Sequence, residues 1–326
     1  MSARLRKVTR DDLTIVRKRR GRGFCFLDAT GKLVCDAVFK QRMADLAIPP
    51  AWRDVHVAPR ANDHIQCVGI DEAGRAQYIY HPDWEVRRSA RKQRRLAALS
   101  AALPRIRRRV RKDLGAPVGS AELAQAIAVA LIDRTAMRVG SEQYLRANGT
   151  RGAATLFSRD VVVDGDRVEL AFVAKGGKRT AYALKDRALA DAIARIKVLP
   201  GKRLLVYRDA DGIVPLRTRT INTYLRQITG ADISAKDFRT LRASALAAEV
   251  LASMEPGASE SARKRQIAGV ARQVAEVLRN TPAISRKSYI APALFQLFDS
   301  GKLQVLWSAA RGRAEERLVI LLAEVA

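Results

Sequence analysis

A tyrosine in the last quarter of the chain lies in a segment suited to nucleophilic attack on an anion. Tyr289 follows a predicted helix end and the proline-restricted turn of residues 281–285, and it precedes another predicted helix. A phenol with an ordinary pKa of about 10 needs neighbouring cations to become a competent nucleophile. Because a lone tyrosine is more often a packing anchor, the chemistry depends on the cations that accompany it.

Two arginines on one predicted helix are candidates for such cations. The sequence predicts a helix over residues 120–140, with Ile127 and Leu131 on its apolar face. At about 100° per residue, Arg134 and Arg138 both lie on that face. A buried guanidinium is costly unless it is paired or directed at an anion, and for one isolated arginine a carboxylate partner is the simpler explanation. Helical geometry does not choose between the two.

Two further cationic positions follow along the chain. Lys175 lies beside Gly176 and Gly177 in a predicted hairpin turn, where the backbone can approach a ligand closely, although most turn lysines are only solvated. Arg239 lies near the beginning of a predicted helix, where the helix dipole does not favour a cation, and Lys236 shares that location. An anion contact would explain both.

The composition points to a polyanionic partner. Sixty lysines and arginines against 33 aspartates and glutamates give a formal net charge of +27. Nucleic acid is the usual partner of such an excess, while solubility alone explains it poorly and no long apolar run suggests a membrane.

No secretory signal is apparent, so a reducing cytoplasm is the expected compartment. The histidines and cysteines all lie in the first quarter of the chain: His56, His64, His81, Cys25, Cys35 and Cys67. Chemistry in the remainder is therefore expected to proceed without a metal site built from them.

The periodicity predicts a mixed α+β fold in two domains. Residues 1–84 form a β-rich module, with strands near 23–27, 55–57, 64–70 and 77–80. Residues 85–326 form a larger, mostly helical domain with a three-stranded antiparallel meander at 161–184. Basic amphipathic helices lie on either side of Pro104. The remaining helices are expected near residues 188–197, 220–229, 239–254, 261–279, 291–298 and 311–324.

Together these residues resemble the type IB DNA topoisomerases, especially the small bacterial and poxvirus-like forms. The resemblance rests on four motifs in the same order: Arg138-Val139-Gly140, Lys175 in its hairpin, Lys236-Asp237-Phe238-Arg239-Thr240, and the Thr281–Tyr289 segment. In the N-terminal module it extends to residues 48–52 and 77–82. It spans roughly residues 20–300 and departs at one position, where Asn280 replaces the histidine that many members carry.

The resemblance implies a mechanism and a role for each matching residue. Tyr289 would form a DNA-(3′-phosphotyrosyl) bond, with Arg138, Arg239 and the uncharged Asn280 holding the phosphate. Lys175 would be the general acid, assisted by Lys236. The enzyme would relax supercoiled duplex DNA with no metal, nucleotide or other cofactor.

The same resemblance implies how the enzyme meets its substrate. The N-terminal module would act as a clamp around the duplex, and the DNA-contacting residues would be Gln77, Tyr78 and Tyr80, although packed tyrosines in an ordinary strand explain these as well. A monomer in the cytoplasm, associated with the nucleoid and not with a membrane, is expected.

Two alternatives remain open at this point. A tyrosine site-specific recombinase shares the Arg, Lys, Arg and Tyr chemistry. Its second arginine box usually contains histidine, however, where this chain has Lys236-Asp237-Phe238-Arg239-Thr240. A non-catalytic DNA-compacting protein would explain the net charge but not the ordered set of motifs.

Overall fold

The computed structural model describes residues 4–323, which separate into two compact units. One unit ends at Lys92 and the other begins at Gln93, so the division falls inside a helix. The fold is mixed α+β, as the sequence predicts, with one antiparallel sheet in the N-terminal unit and a mainly helical second unit. No helix of the described residues is long and apolar enough to cross a membrane.

The N-terminal unit is built on a five-stranded antiparallel sheet in the order β2-β1-β3-β4-β5. Its elements are β1 (Ile15–Arg20), β2 (Gly23–Leu27), α1 (Ala37–Leu46), β3 (Arg53–Val57), β4 (Ile65–Ile70) and β5 (Ala76–Tyr80). The sequence pattern does not predict β1, because four of its six residues are basic and only Ile15 and Arg17 are buried. Arg17 remains buried by donating hydrogen bonds to the carbonyl oxygens of Pro49 (3.2 Å) and Trp52 (2.7 Å).

The second unit consists mainly of helices and contains two small sheets. The helices are α2 (Pro82–Asp113), which begins in the first unit, α3 (Ala121–Thr135), α4 (Glu142–Asn148), α5 (Arg187–Ile196), α6 (Thr218–Thr229), α7 (Ala235–Ala252), α8 (Glu260–Leu278), α9 (Pro282–Ile284), α10 (Pro292–Asp299), α11 (Lys302–Ala309) and α12 (Ala314–Ala323). The strands are β6 (Val161–Asp164), β7 (Arg167–Val173) and β8 (Arg179–Lys185), which form the expected meander, and the hairpin β9 (Val206–Asp209) and β10 (Gly212–Pro215). The last residue of the predicted terminal helix, Glu324, lies outside the described residues.

Pro104 does not divide α2 into two helices, contrary to the sequence expectation. The helix continues through it because Leu99, Leu103, Ile106 and Val110 form one continuous buried face on both sides of the proline. Burial of this face outweighs the backbone hydrogen bond that proline cannot donate.

Helix α3 ends at Thr135 and not near Gly140, which corrects the helical placement of Arg138. Ala136 adopts a left-handed conformation (φ 52°) and its N–H donates to Ile132 O, which ends the helix. Arg138 therefore lies in an irregular segment after the helix, not on its apolar face. Arg134 is in the helix but exposed, and it pairs with Asp186.

Candidate active site

Tyr289 is the last residue of a π-helical turn, Ser285–Tyr289, that follows α9 directly. The Thr281 hydroxyl caps α9 by accepting from the N–H of Ile284 (3.3 Å), and Pro282 occupies the first helical position, where its missing N–H costs nothing. The Ile290 N–H donates to Ser285 O (3.1 Å) and closes the wide turn. Such turns are rare and occur frequently at functional sites. The Tyr289 ring is half-buried against the main core.

Arg239 lies against the face of the Tyr289 ring. Its side chain extends from α7, is only 3% exposed, and holds its guanidinium carbon 5.1 Å from the ring centroid. One terminal nitrogen donates to Ala136 O and the other to Leu278 O (2.8 Å). Its Nε is buried without a hydrogen-bond partner among the described residues, and no carboxylate there forms an ion pair with it. The charge of Arg239 is therefore directed at the phenol and not neutralised.

Arg138 is held beside this pair by a close approach of two glycines. The Arg138 carbonyl accepts from the N–H of Ala153 (2.9 Å). A Cβ atom at Gly152 would lie 2.4 Å from that carbonyl oxygen and 2.5 Å from the nitrogen of Gly140, so only glycine fits. The Thr218 hydroxyl donates to Gly140 O (2.8 Å) and fixes the other end of the segment. The Arg138 backbone is thus held at both ends.

The side chain of Asn280 accepts a hydrogen bond from Arg138. An Arg138 Nη atom donates to Asn280 Oδ1, while Asn280 Nδ2 is buried and has no hydrogen-bond partner among the described residues. Arg279 ends α8 in a left-handed conformation (φ 53°), and the Asn280 N–H donates to Ala275 O (2.9 Å). The amide therefore leaves one unused donor in a site rich in positive charge, which suits an anionic ligand.

The charges of the site act on the phenol of Tyr289. Burial raises the pKa of this phenol, but the charge of Arg239, a hydrogen bond from Arg239 and the charges of Lys236 and Arg138 together outweigh burial, and the net pKa is lowered. The pKa of the Arg138 guanidinium is also lowered, first by burial and then by the like charge of Arg239. The site therefore favours the phenolate form of Tyr289.

Tyr182 and Ser244 are neighbours of this site that the sequence reasoning did not identify. Tyr182, on β8, has its pKa raised by burial, although three arginines oppose the shift, so its hydroxyl remains protonated. Ser244 is fully buried on α7 and bonds to the backbone beside Tyr289. Neither stands out in the sequence, because a strand tyrosine and a helix serine are ordinary packing residues.

The two predicted lysines are exposed. Lys175 lies in the β7–β8 turn, where Gly176 and Gly177 both have positive φ, and its Nζ lies 5.5 Å from the ring centroid of Tyr144. Among the described residues, no hydrogen bond or ion pair joins Lys175 to Tyr289, Arg239, Arg138 or Asn280. Lys236 lies in the first turn of α7, close enough to contribute to the lowered pKa of Tyr289.

The predicted DNA-contacting residues lie on β5 of the N-terminal unit. Tyr78 is 42% exposed, and its ring lies nearly parallel to that of Tyr80, with centroids 6.1 Å apart. The guanidinium carbon of Arg88 lies 5.2 Å from the Tyr80 ring centroid. Gln77 Nε2 donates to Asp71 Oδ2 (2.8 Å), so its amide is already partly engaged.

Comparisons with known proteins identify the family of this chain. A family model described as the catalytic core of eukaryotic DNA topoisomerase I matches residues 82–298, and one described as the N-terminal domain of bacterial DNA topoisomerase IB matches residues 23–71. The chain is 30% identical over 268 residues to DNA topoisomerase 1B of Acanthamoeba polyphaga mimivirus, covering 80% of both chains. It is 22% identical over 232 residues to DNA topoisomerase 1B of Vaccinia virus (strain Copenhagen), covering 71% of both.

These matches define the class of protein as an isomerase that acts on DNA. The chain belongs to the type IB DNA topoisomerase family. The resemblance inferred from the four motifs is thereby confirmed, and the recombinase and compacting-protein alternatives lose their support.

Proposed function

We propose that this enzyme relaxes supercoiled duplex DNA by cleaving one strand through a DNA-(3′-phosphotyrosyl) bond at Tyr289 and then resealing it, without ATP or metal. The observation that carries the proposal is the apposition of the Arg239 guanidinium to the Tyr289 ring, with Arg138 and Asn280 beside them. A buried, unpaired cation against a phenol favours the phenolate, which is the nucleophile that attack on phosphorus requires.

Cleavage exchanges one phosphodiester for another. The Tyr289 phenol loses its proton to water, its oxygen forms a bond to phosphorus, and the bond from phosphorus to the 5′-oxygen breaks. The leaving oxygen takes a proton from the Lys175 ammonium group and becomes a free 5′-hydroxyl. Religation reverses these steps, and because the phosphotyrosyl bond conserves the energy of the broken bond, no nucleotide is consumed.

Arg138, Arg239 and Asn280 hold the non-bridging oxygens of the reacting phosphate. Support comes from the absence of any carboxylate paired with either arginine in the described part of the chain, and from the unused Nδ2 donor of Asn280. Arg239 keeps donors for the phosphate, because its Nε–H has no partner among the described residues and each terminal nitrogen carries a second N–H besides the one that donates to a carbonyl group. Fixed donors of this kind stabilise charge as it develops in the transition state.

Lys175 reaches the leaving oxygen when DNA binds. Its exposed position at the tip of a glycine-containing turn lets the side chain move from Tyr144 toward the substrate. Lys236, exposed beside the site, assists proton transfer or the binding of a phosphate.

The enzyme acts as a monomer bound to duplex DNA in the nucleoid. The N-terminal domain, residues 1–84, clamps the duplex and contacts it through Gln77, Tyr78 and Tyr80, while residues 85–326 carry the catalytic site. The net charge of +27 supports extensive phosphate contact and a steep dependence of affinity on salt.

Plasmid relaxation tests the proposal. Supercoiled plasmid is incubated with enzyme in EDTA without ATP, at low salt, using wild type and Tyr289→Phe. Relaxation by wild type alone, together with a covalent DNA adduct that the variant does not form, is the expected result. Equal inactivity of both proteins would contradict the proposal, and a requirement for paired target sites would favour recombinase chemistry.

A further inference from the structure

We propose that Ser244 is a positioning residue for the nucleophile, because its hydroxyl holds the backbone immediately after Tyr289 and so keeps the phenol in place against Arg239. The inference rests on the proposed role of Tyr289 and assigns to a residue outside the four motifs the task of orienting that side chain. Ser244 does not touch the phenol or the phosphate site.

The Ser244 hydroxyl makes two hydrogen bonds that flank the nucleophile. It donates to Tyr289 O (3.1 Å) and accepts from the N–H of Ala291 (3.0 Å). The π-helical turn ends at Tyr289 and Ile290 is extended, so helical hydrogen bonding does not serve these two peptide groups. Ser244 is fully buried, with 0% exposure, so water does not replace it. One side chain therefore satisfies a donor and an acceptor that are otherwise costly to bury.

Helix α7 contacts both the ring and the main chain of Tyr289. Arg239 and Ser244 belong to α7, separated along its axis by about 7.5 Å at the usual rise per residue. The first contacts the aromatic ring and the second contacts the main chain of the same residue. The distance between the cation and the phenol is consequently set within a single helix, whose inner face is packed in the core.

This arrangement has a kinetic consequence. In-line attack needs the phenol oxygen in the same place for cleavage and for religation, and a displacement of about 1 Å can slow such a step by on the order of 100-fold. Loss of the Ser244 hydroxyl frees the backbone after Tyr289 and weakens the apposition to Arg239. Non-covalent DNA affinity depends on other surfaces and is unaffected.

The experiment compares Ser244→Ala with Thr229→Ala. Thr229 is a matched control because its hydroxyl also donates to a carbonyl, Leu225 O (2.8 Å), and accepts from an N–H, that of Ala231 (3.2 Å), at the end of α6. Single-turnover cleavage of a duplex whose short 5′-hydroxyl fragment dissociates is measured across neutral and alkaline pH. Thermal unfolding is followed in parallel, and DNA affinity is measured with each variant combined with Tyr289→Phe.

For Ser244→Ala we expect cleavage slowed by about 10- to 100-fold at neutral pH, a rise of the rate with pH displaced to higher pH, and unchanged DNA affinity. Thr229→Ala should lower thermal stability without changing the rate or its pH profile. Ser244→Cys, which keeps the shape of the side chain but carries a larger atom and a weaker donor, should fall between wild type and Ser244→Ala.

The proposal is overturned if Ser244→Ala matches Thr229→Ala in both rate and pH profile. If alanine prevents folding, a wild-type pH profile and rate in Ser244→Cys overturns it equally. Tyr289→Phe separates this failure from that of the proposed function: a covalent adduct in that variant would refute the role of Tyr289 itself, whatever Ser244 does.

Discussion

Arg138 and Asn280 share a hydrogen bond in which the guanidinium donates to Oδ1 and the amide nitrogen Nδ2 remains buried without a partner among the described residues. The two residues come from different elements, one following α3 and the other following α8. Oδ1 accepts from the arginine, so Nδ2 is the amide atom that is left without a partner, and an amide nitrogen can only donate. Asn280 therefore presents a neutral donor at a position where many family members have histidine.

Asn280→Ala should lower the cleavage rate by about 10- to 100-fold, since a hydrogen bond to a charged group contributes about 1.5–3 kcal/mol. Asn280→His should keep most of the activity and add an inflection that the wild type lacks at this position, below the ordinary histidine pKa of about 6.5, because burial and the neighbouring arginines disfavour the imidazolium ion. Single-turnover cleavage across pH measures both effects. A loss for Asn280→His as large as that for Arg239→Ala would contradict the donor role.

Arg138 and Arg134 can be compared directly, because Arg134 forms an ion pair with Asp186 whereas Arg138 has no carboxylate partner among the described residues. Arg138→Gln should reduce cleavage by about 10²- to 10³-fold, as removal of a fixed charge-stabilising donor does elsewhere. Arg134→Gln removes a half-exposed ion pair with Asp186 and should cost at most about 1 kcal/mol of unfolding free energy, with cleavage unchanged. Rate assays and denaturant unfolding on both variants check this. Equal rate losses in the two variants would contradict a catalytic role for Arg138 that Arg134 does not share.

Gly152→Ala should displace the Arg138 segment. The added methyl group would lie 2.4 Å from Arg138 O and 2.8 Å from the Cα of Gly140, so the backbone must shift, at a cost of about 1–3 kcal/mol. We expect slower cleavage together with reduced stability. Gly269→Ala, where the nearest atom is a flexible arginine nitrogen at 3.8 Å within α8, is the control and should preserve activity. Wild-type cleavage by Gly152→Ala would show that the close approach is dispensable.

The cleavage rate should rise with pH and reach half of its maximum below about pH 10, the ordinary midpoint of a phenol. Burial raises the pKa of Tyr289, but the surrounding cations and a hydrogen bond from Arg239 lower it by more, so the phenolate, the proposed nucleophile, is populated at lower pH. Arg239→Gln removes the largest of these lowering influences and should move the midpoint upward while slowing cleavage at neutral pH. Arg187→Gln, an exposed residue paired with Asp191, is the control. An unchanged midpoint in Arg239→Gln would contradict the electrostatic account.

The fold class was predictable because its signals are local. The β6–β8 meander follows from alternating apolar residues around Asp164-Gly165 and Gly176-Gly177, which are turn sequences in their own right. The sequence pattern predicts neither strand β1 nor the hairpin β9–β10, because β1 is mostly basic and β9 and β10 have only four residues each, too few to show an alternating pattern. The sequence pattern also fails to predict that α2 is uninterrupted, since packing of its apolar face overrides the local effect of Pro104.

The sequence by itself determined the charge, the order of the motifs and the family, because these depend on residue identity and spacing alone. Helical periodicity alone does not choose between Arg134 and Arg138, since it continues formally past Thr135 and a partner such as Asp186 is distant in the chain; the motif Arg138-Val139-Gly140 selects Arg138 by resemblance. Only the tertiary structure showed the physical difference between them, by ending α3 before Arg138 and pairing Arg134 with Asp186. It also placed Ser244 beneath Tyr289 and directed the charge of Arg239 at the phenol. Hydrogen bonds between separate elements and the burial of unpaired charge arise from packing, which no local pattern in the chain records.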